Sequence, residues 1–307
     1  MSRISRVTKQ WVQTADGFWS KLHLLGRIMS YLKHWKLQRS PFSIQGNRRA
    51  VFTDGAIEEA LARSEFLVDQ RKQLGLVMGP SGVGKTTFLE HLAFKRNSQN
   101  PRESMIRFDL RSSNFPSLAG LMADALGLAR GPSDSNVWGA VQDHLFSTSA
   151  IGHRTILVFD NVCEVDDDIV QTLSSLICSK MPWCIFLSVD DESLVNLPRW
   201  ILEQCDLKIE LPAWDLGQTA DYFEFAIARE GGRDDMFDGQ SMTRIHELGD
   251  GIPRKISQIA ELALVAGAVR KSECVTSELV DQVCDEFTFT VGGKFPTIWE
   301  DQRLNAR

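Results

Sequence analysis

Between residues 74 and 211 the chain alternates short unbroken apolar runs with longer stretches in which apolar residues recur every three or four positions. The runs Leu74–Met78, Met105–Leu110, Thr155–Asp160, Cys184–Asp190 and Leu207–Leu211 have the length of strands. A run such as Ile156-Leu157-Val158-Phe159 offers no polar face, which predicts a strand covered on both sides, as in a parallel sheet. The intervals between the second, third and fourth runs are long enough to hold helices, so a three-layer α/β/α sandwich is expected. From Asp215 the strand-like runs stop and helical periodicity continues over 215–231, 238–249, 253–270 and 275–287.

Upstream, residues 54–72 read as a helix with Asp54 as N-cap. Residues 1–40 read as mostly helical, with Trp11, Ala15, Phe18, Leu22, Leu25, Met29 and Leu32 at helical intervals and Trp19, Ile28 and Trp35 widening the stripe. The Ser40-Pro41 step marks a boundary, because proline pushes the preceding residue out of helical geometry. The expected division is an N-terminal extension (1–40), an α/β domain (41–213), a small helical domain (214–290) and a tail (291–307).

Composition adds few surprises. The chain has 307 residues, 43% hydrophobic and 24% charged, which is ample for a buried core. No apolar run approaches the length of a membrane span, and the N-terminus lacks a secretory pattern, so a cytoplasmic protein is expected. The six cysteines form no CxxC pair, which predicts free, mostly buried thiols. The scattered histidines and Trp11, Trp19 and Trp35 read as structural residues, and Asp166-Asp167-Asp168 as the cap of a helix starting near Ile169. Charge is uneven: the first fifty residues carry ten Lys/Arg against Asp16, while the rest of the chain is strongly acidic. That asymmetry suits a solvated arm folded back on the acidic remainder as well as it suits docking on nucleic acid, an anionic membrane or an acidic partner.

One motif changes the picture. Gly79-Pro80-Ser81-Gly82-Val83-Gly84-Lys85-Thr86 satisfies G-x-x-x-x-G-K-[ST] in full, followed by Thr87. Glycines let backbone N–H groups turn inward around phosphate oxygens, and the helix that follows offers its positive N-terminus. Lys85 is expected to reach the β/γ phosphates of ATP, and the Thr86 hydroxyl to ligate Mg2+. An apolar strand leads in and a helical pattern (Lys85–Lys95) leads out, as that mechanism requires. About 75 residues on, Thr155–Asp160 has the form of a Walker B strand, with Asp160 holding the metal through water. The next position, a Glu in hydrolytic AAA+ proteins, is Asn161; an amide cannot take a proton from the attacking water, so slow or partner-dependent hydrolysis is expected, with Glu164 or Asp166 on the next turn as alternative carboxylates.

The sequence resembles AAA+ ATPases of the ExeA/GspA (general secretion pathway protein A) type, related to TniB/TnsC-like transposition ATPases and more distantly to the origin-recognition clade. The resemblance runs from about residue 31 to 287. It rests on the Tyr31 segment entering Pro41-Phe42, on AIEEALARSEFLV (56–68) before GLVMGPSGVGKTT, on CIFLSVDDESLVNLP (184–198), on LPAWDLGQTADYFEFAIAREGG (211–232), and on GIPRKISQIAELALVAGA (251–268). It implies a P-loop NTPase sandwich of the AAA+/ASCE type with a C-terminal helical lid, MgATP between the two, and nucleotide-dependent homo-oligomers. It also implies Asp190 as polar sensor (Ser188 if the register slips) and Arg254 as the second, γ-phosphate-reading sensor. Where the family has an arginine finger this chain has Gln204-Cys205-Asp206, with Arg199 the nearest replacement. The transmembrane and peptidoglycan-binding parts of secretion-type members have no counterpart, so a role at the cell wall is not carried over. Three roles stay open: a nucleotide-driven motor or switch on a protein or DNA partner, a hydrolysis-poor nucleotide-gated binding module, and a DNA-associated transposition-type ATPase working through the basic N-terminus. A STAND-type signalling role, suggested by LVFDNV, is disfavoured by the lack of a repeat array.

Overall fold

Strands β1 (Leu74–Gly79), β2 (Glu103–Asp109), β3 (Arg154–Asp160), β4 (Cys184–Asp190) and β5 (Leu207–Glu210) form one parallel sheet in the order β2-β3-β4-β1-β5. The computed structural model describes residues 31–43, 51–111, 117–128, 137–162, 167–179 and 183–291, and side chains to residue 285. These residues fall into two compact units, one within 47–213 and one that joins residues before 47 to those from 214 onward.

In the α/β unit the strands are buried on both faces, as their unbroken runs predict. Leu157, Phe159, Ile185, Leu187 and Val189 pack in one cluster with α4 (Leu118–Ala125), α5 (Val137–Ala150) and α6 (Asp167–Cys178). Their alternating neighbours Ile156, Val158, Cys184 and Phe186 pack in another with α2 (Gly55–Asp69) and α3 (Lys85–Gln99). Period-two alternation therefore feeds both layers from one set of strands. Asp54 caps α2 by accepting from the Ile57 N–H at 2.8 Å, as expected. The acidic run before α6 behaves differently. Asp167 begins that helix, and Asp168 reaches across to accept from the Leu118 N–H at 2.7 Å, so it satisfies an orphan donor at the start of α4. Sequence spacing shows only a residue's own helix, which is why this role was not legible.

The helical unit contains α8 (Leu216–Arg229), α9 (Gly239–Gly249), α10 (Pro253–Arg270) and α11 (Ser277–Val291). Asp215 and Gln218 form a reciprocal capping box at α8, Asp238 caps α9, and Pro253 opens α10, where its missing N–H costs nothing. The sequence reading set 1–40 apart as an extension; the structure gives residues 31–43 to this unit. Residues 31–35 are helical (α1), with Tyr31 and Trp35 buried in the same cluster as Ile256, Ile259 and Leu264. Trp35 Nε1 donates to the Leu264 carbonyl at 2.8 Å, and Phe42 lies 4.9 Å from the Phe223 ring. The helix ends at Trp35, where Lys36 turns to φ 58°, ahead of the Ser40-Pro41 step, and that step does not end the unit, because tertiary packing continues across it. The predicted helical stripe and basic charge of residues 1–30 lie outside the described residues.

A buried carboxyl ties this segment down. Glu261 accepts from the Tyr31 hydroxyl and, at 2.5 Å, from Ser40 Oγ. Burial pushes its pKa up from the ordinary carboxylate value, and the two hydrogen bonds only partly offset this; burial also raises the Tyr31 pKa. A raised carboxyl pKa means the folded state holds more protons than the unfolded one, so stability is greatest below the unfolded pKa and falls as pH rises through the folded value. Glu261→Gln is expected to remove that decline, read as denaturant midpoint against pH from about 4 upward.

Among the described cysteines Cys184 and Cys284 are buried, Cys205 and Cys274 half-buried and Cys178 exposed, so they are less uniformly buried than expected.

Candidate nucleotide-binding site

The P-loop motif forms the turn between β1 and α3. Gly79 has φ 150°, and a Cβ there would lie 2.2 Å from the Leu211 carbonyl oxygen, so only glycine fits. Gly82 and Gly84 also take positive φ, and Gly84 is the N-cap of α3. The turn between them closes with the Val83 N–H donating to Pro80 O at 3.2 Å, while Ser81 and Thr87 are exposed. Lys85, the first residue of α3, is 6% exposed. Its Nζ donates to Gly79 O at 2.6 Å, to Pro80 O at 2.9 Å and to Asp190 Oδ1 at 2.5 Å. The ammonium group is thus folded over its own loop and paired with the last residue of β4.

Asp160 ends β3 fully buried. Its Oδ2 accepts from Thr86 Oγ1 at 2.8 Å and from Arg107 Nη1 at 3.0 Å, whereas the buried Oδ1 has no hydrogen-bond partner. A carboxyl oxygen left buried without a partner is costly, and a hydrated cation would satisfy it. Mg2+ usually binds one or two carboxylates, retained waters and substrate phosphates, so Thr86 with Asp160 is a fitting donor set. When bound, the ion would neutralise charge on the β and γ phosphates. Among the described residues no group of three His, Cys, Asp or Glu is placed to hold a metal without such a substrate.

Asn161 follows in the left-handed region, φ 59°, a conformation asparagine tolerates better than most residues. Its Nδ2 donates to Asp109 Oδ1 at 3.0 Å. Asp109 ends β2 directly opposite Asp160 in register. Burial pushes its pKa up, but the Arg111 hydrogen bonds and charge, with the Asn161 amide, outweigh burial and hold it below the ordinary carboxylate range. Arg107 and Asp109 went unnoticed in the sequence. Their signal was two charges at alternate positions of an otherwise apolar run, Met105 to Leu110, which puts both on one face of β2.

The other candidates are more dispersed. Asp190, the last residue of β4, stands opposite Gly79, and Ser188 lies two residues earlier, opposite Val77. Arg199 begins α7 (Arg199–Gln204) with its side chain 91% exposed, paired to Glu203 at 2.9 Å. Asp206 has a structural task, accepting from the Gln73 and Leu74 N–H groups at 2.9 and 3.1 Å where β1 begins. Arg254 is exposed in the first turn of α10, in the helical unit. His34, His153 and His246 each hydrogen-bond within the fold, consistent with structural roles.

The chain's similarities agree with this geometry. Residues 68–194 match the family model described as an AAA domain. General secretion pathway protein A of Aeromonas hydrophila is 24% identical over 256 residues, covering 79% of this chain and 46% of that protein, so the chain spans less than half of the relative it matches. Among solved structures, the Aeropyrum pernix ORC1 protein in complex with DNA has a TM-score of 0.64 at 17% identity, covering 79% of this chain and 68% of that one. The Aeropyrum pernix ORC2 protein (ADPNP-ADP complexes) has a TM-score of 0.62 at 16% identity, covering 81% and 72%. The Thermotoga maritima RuvB Holliday junction branch migration motor has a TM-score of 0.54 at 15% identity, covering 77% and 70%. Residues 68–194 thus carry the sequence pattern of an AAA domain, the fold is that of these neighbours, and the wider sequence similarity is to general secretion pathway protein A.

Proposed function

We propose that this chain binds MgATP at the β1–α3 loop and works as a nucleotide-driven switch or motor on a protein or DNA partner, hydrolysing ATP slowly. The observation that carries the reading is the joined pair Thr86–Asp160 beside Lys85, with the unpartnered Asp160 Oδ1 where a hydrated Mg2+ would be held. Gly79, Pro80, Ser81, Gly82, Val83, Gly84 and Thr87 complete the phosphate cradle. Asp190, now paired with Lys85, would be released as the lysine turns to the phosphates. Arg254 serves as the nucleotide-sensing arginine of the helical unit, a role that the sequence resemblance and its exposed first-turn position support. The cytoplasm is the proposed location; among the described residues no helix is long and apolar enough to cross a membrane.

Slow turnover follows from Asn161. Wild-type kcat is expected below the usual enzymatic range of about 1–10³ s⁻¹. Asn161→Glu should raise it by about tenfold or more, since general-base assistance is worth about 10²–10⁴ and glutamate fits the left-handed backbone less well. Brisk wild-type hydrolysis unchanged by Asn161→Glu would overturn the slow-switch reading.

The partner is proposed as DNA or protein, with nucleotide-dependent self-association. Net positive charge in the first fifty residues supports a DNA partner, as does the nature of two structural neighbours, one in complex with DNA and one a branch migration motor. Because residues 31–43 are built into the helical unit, the informative truncation removes 1–30 and leaves Tyr31 onward intact. Salt-sensitive DNA binding lost in that truncation is the expected result; DNA binding that survives it removes the N-terminus from the role.

A further inference from the structure

With an amide at position 161, the site still contains a carboxylate beside the Walker B strand. We infer that Asp109, held by Asn161, is the catalytic carboxylate that orients and deprotonates the water attacking the γ-phosphate of ATP. The inference rests on the nucleotide-binding reading above and names the missing base.

Three observations support it. Asp109 and Asp160 are register partners at the ends of adjacent strands, so both carboxylates rise at the same edge of the sheet, and Asp160 accepts from Thr86 of the loop. A single nitrogen, Arg107 Nη1, lies 3.0 Å from Asp160 Oδ2 and 3.9 Å from Asp109 Oδ2, which ties the two into one cluster with Thr86. Asn161 does not point its amide away from this cluster. It spends its Nδ2 donor on Asp109 Oδ1, and an amide that cannot act as base can still fix the direction of one that can.

The distribution of donors on Asp109 suits the task. Among the described residues Oδ1 accepts from Asn161 Nδ2, the Arg111 N–H and Arg111 Nε, while Oδ2 accepts one hydrogen bond, from Arg111 Nη2 at 3.1 Å. Oδ2, with fewer donors than Oδ1, can accept from a water while Oδ1 anchors the group. The Asp109 side chain is 32% exposed, open enough to exchange the proton with solvent. In the step, the water oxygen forms a bond to Pγ, and the bond from Pγ to the β,γ-bridging oxygen breaks with its electron pair leaving on ADP. The water's proton passes to Asp109 Oδ2 and then to solvent, so the products are ADP and inorganic phosphate. The Arg111 contacts weaken Asp109 as a base, which agrees with slow rather than absent turnover.

The test compares wild type, Asp109→Asn, Asp109→Glu and the double variant Asp109→Asn/Asn161→Glu, each measured for ATP turnover and for binding of a fluorescent ATP analogue in excess Mg2+. Asp109→Asn should lower kcat on the order of 100-fold while the dissociation constant moves less than about threefold. Asp109→Glu should keep part of the rate. The double variant should regain part of the turnover, because it returns a carboxylate to the site. Asp109→Asn with wild-type kcat overturns the assignment, as does loss of rate matched by equal loss of nucleotide affinity in both Asp109 variants, which a merely structural role would produce. Wild type that binds the analogue but never turns over ATP overturns Asp109 and leaves the switch standing; wild type that binds no nucleotide overturns both.

Discussion

Lys85→Ala should weaken MgATP binding by at least about thirtyfold while leaving the fold intact. Lys85 is the buried cation of the site, and its ammonium already makes three charge-assisted contacts without nucleotide, to Gly79 O, Pro80 O and Asp190 Oδ1. Removing one partner of a desolvated, hydrogen-bonded charge pair costs about 2–5 kcal/mol, and each 1.4 kcal/mol is a factor of ten in affinity. The effect on the nucleotide-free protein should be much smaller. The carboxylate left behind, Asp190, is a quarter exposed and can be hydrated. A fluorescence titration with a labelled ATP analogue reads the first effect and the melting temperature reads the second. Unchanged affinity would place the phosphates somewhere other than this loop. Asp190→Ala, by contrast, frees Lys85 from a competing partner and should leave affinity equal or tighter.

The second large effect concerns stability. Trp35→Ala is expected to destabilise the helical unit by about 3–5 kcal/mol, the usual range for deleting a large buried aromatic. Trp35 is 3% exposed, donates to the Leu264 carbonyl, and lies edge-on to His34, whose ring nitrogen contacts Ser272 O at 2.8 Å. Gly267 faces it so closely that an added Cβ would come within 2.8 Å of the indole. Losing the indole therefore opens a cavity and removes one hydrogen bond to a helix carbonyl. Because the chain has two units, hydrogen exchange is the better readout than a single melting curve. Amides of α10 should lose protection in the variant while those of β3 and β4 do not. Equal loss in both units, or none in α10, would contradict the assignment of residues 31–43 to the helical unit.

How far the sequence carries depends on the range of the interaction. Strand ends shifted by one or two residues and the helices after Asp215 formed where periodicity put them, because period and capping residues are properties of neighbouring positions. The glycines of the phosphate loop were equally legible, since the conformation each must take is local. Asp109 was not, because its partner Asn161 lies 52 positions away and only strand order brings them together. The same holds for Asp168 at the start of α4 and for Asp206 at the start of β1, both charged residues whose partners are fixed by topology. Residues 31–40 were set apart as an extension, and 41–43 with the α/β domain, for a related reason. Proline governs local backbone geometry and says nothing of the core that Tyr31, Trp35 and Phe42 join.

By itself, then, the sequence determined the parallel α/β sheet, the helical region after it, the phosphate loop and the identity of the residue after Asp160. Each of these is written in short-range pattern, in hydrophobic period or in glycine and cap chemistry. The tertiary structure decided what the sequence spacing could not. It pairs β2 with β3 so that Asp109 stands beside Asp160, turns Asn161 to that carboxylate, folds Lys85 onto Asp190, and builds residues 31–43 into the helical unit. The physical reason is common to all four: side-chain hydrogen bonds and burial act over a few ångströms in space, and chain folding sets which distant residues come within that reach.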